Sequence, residues 1–315
     1  MKDDFTDLTL IIFVRDRQFN ISKVIEYYSS FNCKKIIYDS SEKPISGWKE
    51  ISKFFKSKNF QYVWLDAVPY LVAKNLAFSD VKTEYVIDCP DDDLFIIPSI
   101  KKGVKFLRDN PDYVSCQGHE HWYNSKAKVI GGCKSNNYYD YHLSNDFAIS
   151  DPVHRLQVEI PYFIGYAHAL HRTKFHSQNN RFLLENPEYR SGVWEEIIPG
   201  ILSAIHGNRK VIPDIWVYRH STDSNLGRIS LGNKARDTYF YGTDKYIINK
   251  ENLKPVSKYL SDVAEIDEDE SFKIIKSILE ERESNSKIEA YGWSPTNGID
   301  HDRIIDLMDG TADFY

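Results

Sequence analysis

The chain has 315 residues and a formal net charge of −6 at pH 7, because 46 acidic side chains outnumber 40 lysines and arginines. A nucleic-acid-binding protein normally carries an excess of basic residues, so this charge argues against a nucleic-acid partner. Hydrophobic residues make up 42% and charged residues 27% of the sequence, a balance typical of a soluble globular protein. At roughly 150 residues per domain, the length allows one large domain with an appendage, or two domains.

The N-terminal residues predict neither export nor insertion into a membrane. The longest early apolar run, 8–14, covers seven residues, whereas a membrane-spanning helix needs roughly 20. The segment before this run is acidic where a secretory signal is basic. Four cysteines are too few for a disulfide scaffold. We therefore expect a cytoplasmic protein without a membrane span.

The first 110 residues alternate between short apolar runs and helical patterns. The sequence predicts strands over 9–14, 34–39, 60–65 and 84–88, and helices over 21–31 and 70–79. A strand, a helix and a second strand form a βαβ unit, and its repetition predicts a doubly wound parallel sheet. Ligands of such sheets bind beyond the carboxyl ends of the strands.

The pattern changes after a helix predicted near 97–110. The stretch 113–163 is rich in Gly, Asn and Tyr without a sustained helical period, which predicts antiparallel strands and a loop. A strand over 166–171, a helix over 194–206 and a strand over 210–218 follow. From about residue 249 onward, an acidic run and an apolar stripe predict a helical C-terminal appendage.

Four carboxylates lie within six residues at the end of the strand predicted over 84–88, namely those of Asp88, Asp91, Asp92 and Asp93. Clustered like charges are unfavourable unless a cation neutralises them, and hard divalent cations prefer carboxylate oxygens. The cluster therefore suggests a site for Mg²⁺ or Mn²⁺ that also holds a diphosphate. Taken alone, an Asp triplet is more often a solvated turn before a helix, but the end of a buried strand favours a site.

Several segments, in order, resemble the GT-A glycosyltransferases, particularly the inverting enzymes of family 2. The segment TLIIFVRDRQF at 9–19 resembles the family's opening strand and loop, and IIYDSS at 36–41 resembles its second strand. The segment KNLAF at 74–78 resembles the helix before the metal strand, and EYVIDCPDDDLF at 84–95 resembles the Asp-x-Asp segment. Segment 193–221 resembles the acidic-pair helix, the next strand and a closing Arg-His. The acidic pair is Glu-Glu rather than the usual Glu-Asp, and the insertion 122–161 has no counterpart.

The resemblance implies a fold and a domain organisation. It implies a GT-A (Rossmann-like), mostly parallel sheet flanked by helices over 1–245, with a nucleotide-sugar half at 1–110 and an acceptor half at 111–245. A helical appendage occupies 246–315, for which self-association into a homo-oligomer, partner docking and peripheral contact with the inner face of the membrane all stay open.

The resemblance also implies an activity. The expected enzyme is a metal-dependent inverting glycosyltransferase that moves a sugar from a nucleotide diphosphate sugar, a UDP-sugar by default, to a glycan or lipid-linked acceptor. Such a reaction belongs to the synthesis of surface polysaccharide or glycoconjugates. A nucleotidyltransferase acting on sugar phosphates and a non-catalytic carbohydrate-binding or scaffold protein remain alternatives. The loop after the first strand has no glycine, which disfavours the nucleotidyltransferase.

Individual residues acquire roles from the same resemblance. The residues expected to contact the donor nucleotide or its phosphates are Val14, Arg15, Arg17, Asp39, Lys74, Asp91 and Asp92. Asp93 is expected to bind the metal together with Asp91 and His220. Glu196 occupies the second place of the acidic pair and is the expected catalytic base, with Glu195 beside it. Carboxylates at a helix start also have a purely structural explanation in the helix dipole.

A second group of residues offers other chemistry. Thiol and imidazole ligands suited to zinc occur at Cys116, His119, His121 and Cys133. Their spacing matches no common zinc finger, and a His-x-His alternation equally suits one face of a strand. An acceptor cleft lined by His119, His121 and His168 is the alternative. Sugar stacking is a hypothesis for Trp122, Tyr138, Tyr139 and Tyr141.

Overall fold

The computed structural model describes residues 5–124, 129–134, 148–162, 166–189, 194–220, 250–285 and 289–291. The strands are β1 (Phe5–Val14), β2 (Cys33–Asp39), β3 (Phe60–Trp64), β4 (Tyr85–Pro90), β5 (Leu94–Phe95), β6 (Tyr113–Asn124), β7 (Val129–Lys134), β8 (Leu170–Arg172), β9 (Asn208–His220) and β10 (Glu289–Tyr291). The helices are α1 (Ile21–Tyr28), α2 (Trp48–Ser57), α3 (Tyr70–Asp80), α4 (Ile97–Asp109), α5 (Pro152–Glu159), α6 (Thr173–Glu185), α7 (Trp194–His206), α8 (Lys250–Ala264) and α9 (Glu268–Asn285).

One mixed sheet organises the chain. Its order is β10-β7-β6-β8-β4-β1-β2-β3, and β9 pairs with both β5 and β6. Strands β3, β2, β1 and β4 are mutually parallel, as the sequence predicts. The register pairs Val14 with Asp39 and Phe13 with Pro90, so the carboxyl ends of β1, β2 and β4 lie side by side. This edge is where a doubly wound sheet binds ligands.

The sheet is buried on both faces. Strand β1 is almost wholly buried, as expected for a parallel strand covered by helices on both sides. One hydrophobic cluster joins α1 and α4 to one face, and a second joins α3 to the other. The apolar stripe of α1, formed by Ile21, Val24, Ile25 and Tyr28, faces the sheet.

Helices of the second half and of the C-terminal segment share a third hydrophobic cluster. It contains Leu156 of α5, Ile201 of α7, Leu260 of α8 and Ile278 of α9. The C-terminal helices therefore pack against α5 and α7 and bury their apolar stripes there. No helix of the described residues is long and apolar enough to cross a membrane.

Two local predictions are wrong. Within 113–163, predicted to be strands and a loop, residues 152–159 form helix α5. It begins at Pro152 after Asp151, whose side chain accepts a hydrogen bond from the His154 N–H at 2.8 Å, and both are typical of a helix start. The strand predicted over 166–171 begins as a 3₁₀ turn, and only Leu170–Arg172 pairs in the sheet. Helices α2 and α6 were not predicted.

Candidate active site

The acidic turn that follows β4 is held by an arginine from the loop that follows β1. The guanidinium of Arg17 donates to Asp92 at 2.7 Å and also contacts Asp91. Asp16 adopts a left-handed backbone conformation (φ 56°), which Asp tolerates better than most residues. Its N–H donates to the Ser41 hydroxyl at 2.8 Å. The sharp turn at Asp16 thus directs Arg17 toward the acidic cluster.

Burial and charge oppose each other in this ion pair. Burial raises the pKa of Asp91, while the Arg17 guanidinium and the amide of Asn20 lower it. The Asn20 side chain donates to Asp91 at 3.3 Å. Burial also disfavours the charge on Arg17, but Asp91 and Asp92 outweigh that effect and raise its pKa.

Asp93 belongs to a separate buried network of four charged side chains. His168 lies between two carboxylates, with Nε2 3.3 Å from Asp93 and Nδ1 3.0 Å from Glu120. Arg219 spans the same pair, with Nε 3.7 Å from Asp93 and Nη1 3.2 Å from Glu120. The backbone N–H of His220 donates to Asp93 at 2.9 Å. The network joins β6, β9 and the turn after β4.

Electrostatics keep this network charged. Burial opposes ionisation of Glu120, but His168 and Arg219 hold its pKa at about 2. Burial likewise acts against Asp93, whose pKa the His168 hydrogen bond and Arg219 still keep below its usual value. Burial and Arg219 disfavour a charged His168, yet Glu120 and Asp93 raise its pKa to about 9. Two anions and two cations therefore balance each other here.

Asp39 lies at the centre of a hydrogen-bonding cluster at the end of β2. One carboxylate oxygen accepts from Gln18 and Tyr62, each at 2.6 Å. The other accepts from the Ser41 N–H at 2.9 Å and the Ser41 hydroxyl at 2.5 Å. Gln18 follows Arg17 directly, so one loop connects the Asp39 cluster with the acidic turn.

A third ion pair lies at the start of α3. Lys74 donates to Asp88 at 2.6 Å, and its ammonium lies 5.3 Å from the centroid of the Tyr70 ring. Burial disfavours the charge on Lys74, but Asp88 outweighs it and raises the pKa. Lys74 therefore neutralises the first carboxylate of the sequence cluster and is not paired with Asp91 or Asp92.

The two glutamates at the start of α7 face different parts of this site. Burial raises the pKa of the half-buried Glu195 to about 7, while Lys74 opposes the rise. The exposed Glu196 acts instead on Arg219: burial disfavours the arginine charge, but Glu120, Asp93 and Glu196 raise its pKa. Glu195 is therefore within electrostatic range of Lys74, and Glu196 is within range of Arg219, which lies beside Asp93.

The structure does not bring every predicted donor contact into the cluster. Arg15 lies 4.0 Å from its neighbour Asp16 and forms no other ion pair with described residues. Val14 is buried, and its carbonyl accepts from the Ser40 N–H at 2.9 Å. Of the residues predicted in the first loop, Arg17 is the one that reaches the acidic turn.

The acidic turn carries carboxylates suited to a hard divalent cation. The backbone N–H of His220 contacts one of them, that of Asp93. In the part of the chain that the structure describes, no group of three or more His, Cys, Asp or Glu side chains is arranged to hold a metal ion. Cys116, one of the candidate zinc ligands, packs inside the hydrophobic core, which argues against the zinc alternative. The side chains of Trp122, Cys133, Tyr138, Tyr139 and Tyr141 lie outside the described residues.

Sequence reasoning missed several members of the site. Gln18 and Tyr62 at Asp39, Glu120 beneath Asp93, and the buried Lys23 were not singled out. A lysine within the apolar pattern of α1 was the one visible signal. The contacts of Glu120 with His168 and Arg219 cross 48 and 99 residues of sequence, so no local pattern predicts them.

The fold is the GT-A fold, with a mostly parallel sheet and a helical C-terminal region, as predicted. Two crystal structures of S. aureus TarS 1–349 are similar to it, one of them in complex with UDP-GlcNAc. Each matches 88% of this chain and 72% of the other with a TM-score of 0.52, at 13% and 12% identity respectively. No family model matches the chain, and no curated protein matches it by sequence. At this identity, the likeness concerns the fold.

Proposed function

We propose that the protein is a glycosyltransferase that moves a sugar from a nucleotide diphosphate sugar to an acceptor hydroxyl. The observation that carries the proposal is the loop Arg17–Gln18, which joins the Asp39 cluster to the acidic turn while Glu196 faces the same site. A nucleotide bound along this loop extends from a base at one strand end to a diphosphate at the next. TarS, a family 2 glycosyltransferase with the same fold, was solved with UDP-GlcNAc, which favours a UDP-sugar as donor.

The roles follow from the geometry. The Asp39 cluster, in which Gln18 and Tyr62 hold the carboxylate, lies at the strand end proposed for the base or ribose. Arg17 is the nearest cation for donor phosphates. Lys74 neutralises Asp88 and is held in place by that ion pair. Arg219, held by Glu120, presents a second cation beside Asp93. The leaving diphosphate therefore meets positive charge on two sides, which stabilises its developing negative charge.

The carboxylates of the acidic turn have the ligand chemistry of an Mn²⁺ or Mg²⁺ site. Asp93, with Asp91 and His220, would hold the ion, and the ion would neutralise charge on the leaving diphosphate. In the described residues Asp91 and Asp92 are paired with Arg17, and Asp93 with His168 and Arg219. Binding of a metal therefore requires these carboxylates to exchange partners.

Transfer with inversion needs one displacement at the sugar carbon. The acceptor oxygen forms the new bond to the anomeric carbon, the bond from that carbon to the diphosphate oxygen breaks, and the acceptor proton moves to a carboxylate. Glu196 is exposed and faces the Asp93 side, so it is the proposed base. Glu195, turned toward Lys74, orients the start of α7.

The acceptor is proposed only as a class of molecule. This class is a glycan or lipid-linked acceptor, and the reaction would belong to the synthesis of surface polysaccharide or glycoconjugates. Peripheral contact with a membrane face is compatible with such an acceptor. A nucleotidyltransferase is disfavoured because the loop after β1, which would have to surround the phosphates, contains no glycine. A carbohydrate-binding protein without turnover would leave the donor intact, whereas the proposed enzyme consumes it.

A thermal-shift screen tests the proposed donor class. Ligands that bind the native state raise its apparent stability, so UDP and UDP-sugars, each with and without Mn²⁺, are compared with ADP, GDP and uridine. The proposal predicts the largest rise in melting temperature for UDP or a UDP-sugar with Mn²⁺. No rise for any nucleotide diphosphate or its sugar contradicts it.

A further inference from the structure

Two lysine side chains in the described part of the chain are buried, and they differ in how their charge is satisfied. Lys35 on β2 is 2% exposed, and Lys23 on α1 is 6% exposed. Lysine is among the residues least often buried, because removing an ammonium from water is costly unless it gains partners. Each of the two therefore needs a physical explanation.

Lys35 has a structural explanation. Its ammonium donates to the backbone carbonyls of Phe31 at 2.6 Å and Tyr28 at 3.3 Å. These carbonyls lie at and just beyond the last turn of α1, where a cation interacts favourably with the helix dipole. Lys35 thus closes the helix and the turn that leads into β2.

Lys23 lacks such an explanation. Among the described residues, it forms no hydrogen bond and no ion pair within 4 Å. Burial lowers the pKa of its ammonium, and the carboxylates of Asp92, Asp91 and Asp93 oppose that effect while Arg17 adds to it. Asn20, three residues earlier and on the same side of the helix, donates to Asp91 at 3.3 Å. Lys23 therefore lies toward the acidic turn, although its ammonium contacts none of the carboxylates there.

Arg17 leaves a donor unused at the same place. Its two terminal nitrogens contact Asp91 and Asp92, but its buried Nε–H has no hydrogen-bond partner. Lys23 lies on α1, six residues further along the chain. The two side chains therefore bring two cations and one unpaired buried N–H group to the acidic turn.

This arrangement suits an anion better than a permanent internal pair. A buried donor without an acceptor loses its hydration without compensation. A phosphate group supplies several acceptor oxygens and negative charge, and charge-assisted bonds to Lys and Arg are among the strongest hydrogen bonds in proteins. The flexible chain of lysine can follow such a ligand, whereas the Arg17 guanidinium is fixed by two carboxylates.

We propose that Lys23, together with the Nε–H of Arg17, receives the phosphate groups of the nucleotide donor. The inference rests on the proposed function, because the donor is what brings a diphosphate to the turn 91–93. It adds a binding residue from α1 to a site otherwise built from loops and strand ends. A phosphate carried by the acceptor is the other source of the same anion.

The test compares phosphate-bearing and phosphate-free ligands. Lys23→Met keeps the length of the side chain and removes its charge. With Mn²⁺ present, NMR titration measures the affinities for UDP, uridine and inorganic phosphate. Loss of a charge-assisted contact should weaken UDP binding about tenfold or more and leave uridine binding unchanged. Lys23→Arg should restore most of the UDP affinity.

Lys35→Met is the matched control, since it removes a buried lysine with a structural role. It should lower the melting temperature without changing the ratio of UDP to uridine affinity. Lys23→Gln replaces Lys23→Met in the comparison if the methionine variant does not fold.

Three results overturn the inference. They are unchanged affinity for both UDP and inorganic phosphate in Lys23→Met, an equal loss for UDP and uridine, and weakened inorganic phosphate binding with unchanged UDP binding, which points to an acceptor phosphate. In all three the wild-type protein binds UDP, so the proposed function stands. If the wild-type protein binds no nucleotide diphosphate, both the proposed function and this inference are contradicted.

Discussion

Arg17 and Asp92 lie 75 residues apart in sequence, yet the guanidinium and the carboxylate are 2.7 Å apart. This contact, with that to Asp91, fixes the turn after β4 against the loop after β1. The same loop delivers Gln18 to Asp39. The groups proposed to bind the donor, on three adjacent strand ends, are therefore held in one arrangement by contacts within the protein.

Replacing Arg17 should destabilise the fold and make it respond to metal. Arg17→Gln leaves two largely buried carboxylates without their cation, and breaking a buried pair typically costs about 3–5 kcal/mol. Because a divalent cation can replace the lost positive charge, Mn²⁺ should recover part of the loss. Chemical denaturation of the variant with and without Mn²⁺ measures both effects.

Arg15→Gln serves as its control, because the Arg15 side chain is 39% exposed and its contact with Asp16 is long. We expect a change of about 0.5 kcal/mol or less, as for most surface substitutions. If Arg17→Gln is no less stable than Arg15→Gln, the Arg17 contacts do not hold the turn.

Asp93→Ala should weaken metal-dependent nucleotide binding while the protein stays folded. Asp93 faces Arg219 and His168 from the turn after β4, which is the place proposed for the ion. Calorimetric titration of UDP with and without Mn²⁺ checks this, and Asp91→Ala should have a smaller effect. Asp214→Asn removes a carboxylate of β9 that lies outside the site, and this variant should behave as wild type. Equal metal dependence in Asp93→Ala and Asp214→Asn rules out this role for Asp93.

The glutamate pair of α7 should separate into two roles. Glu196→Gln keeps size and hydrogen-bonding shape but cannot accept the acceptor proton, so the transfer rate should fall about 10²-fold or more with donor affinity retained. Glu195→Gln should cost less, since Glu195 faces Lys74. Transfer rate and donor affinity are measured for both variants. Should Glu195→Gln abolish transfer while Glu196→Gln stays active, Glu195 is the base; activity in both rejects a carboxylate base at this place.

Acid should destabilise the protein through two stacked histidines. The rings of His171 and His176 lie 4.3 Å apart at 16°. The Tyr166 hydroxyl accepts from Asn179 at 2.7 Å and is hydrogen-bonded to His176 Nδ1 at 3.0 Å. Burial lowers the pKa of His171 to about 3, and it also lowers that of His176. Both are therefore neutral in the folded protein near pH 7.

The direction of the effect follows from these shifts. The unfolded chain binds a proton at each of these histidines below about pH 6.5, whereas the folded protein does not until a much lower pH. The free energy of unfolding should therefore fall with pH below about 6.5, by up to about 1.4 kcal/mol per pH unit for each histidine. His176→Phe should make this decline shallower, and substitution of the exposed His154 should not. Identical slopes for wild type and His176→Phe between pH 6.5 and 5 contradict the assignment.

The parallel half of the fold is readable from sequence because each strand is an apolar run closed by polar residues. Strands β1, β2 and β4 are buried on both faces, so their sequences contain little but apolar side chains before Asp39 or the acidic turn. Helix α5 escapes the pattern because it lies in a Gly-, Asn- and Tyr-rich stretch. The Asp-Pro pair at 151–152 was its one clear signal.

The site is only partly readable for a different reason. The acidic turn and the Glu195–Glu196 pair are local in sequence, so pattern and resemblance both find them. Their partners are not local: Arg17, His168 and Arg219 reach the cluster from separate elements, and only the folded sheet brings them together. The sequence predicted a metal as the counter-charge for carboxylates that are also paired with these protein cations.

Turnover of a nucleotide sugar tests the central proposal most directly. The protein is incubated with Mg²⁺, a UDP-sugar and simple acceptor glycosides, and ³¹P and ¹H NMR follow the nucleotide and the anomeric proton. The account predicts release of UDP with an inverted anomeric centre in the product, and a loss of about 10²-fold in Glu196→Gln. Intact donor after prolonged incubation with protein that binds it, or release of UMP in place of UDP, would contradict the account.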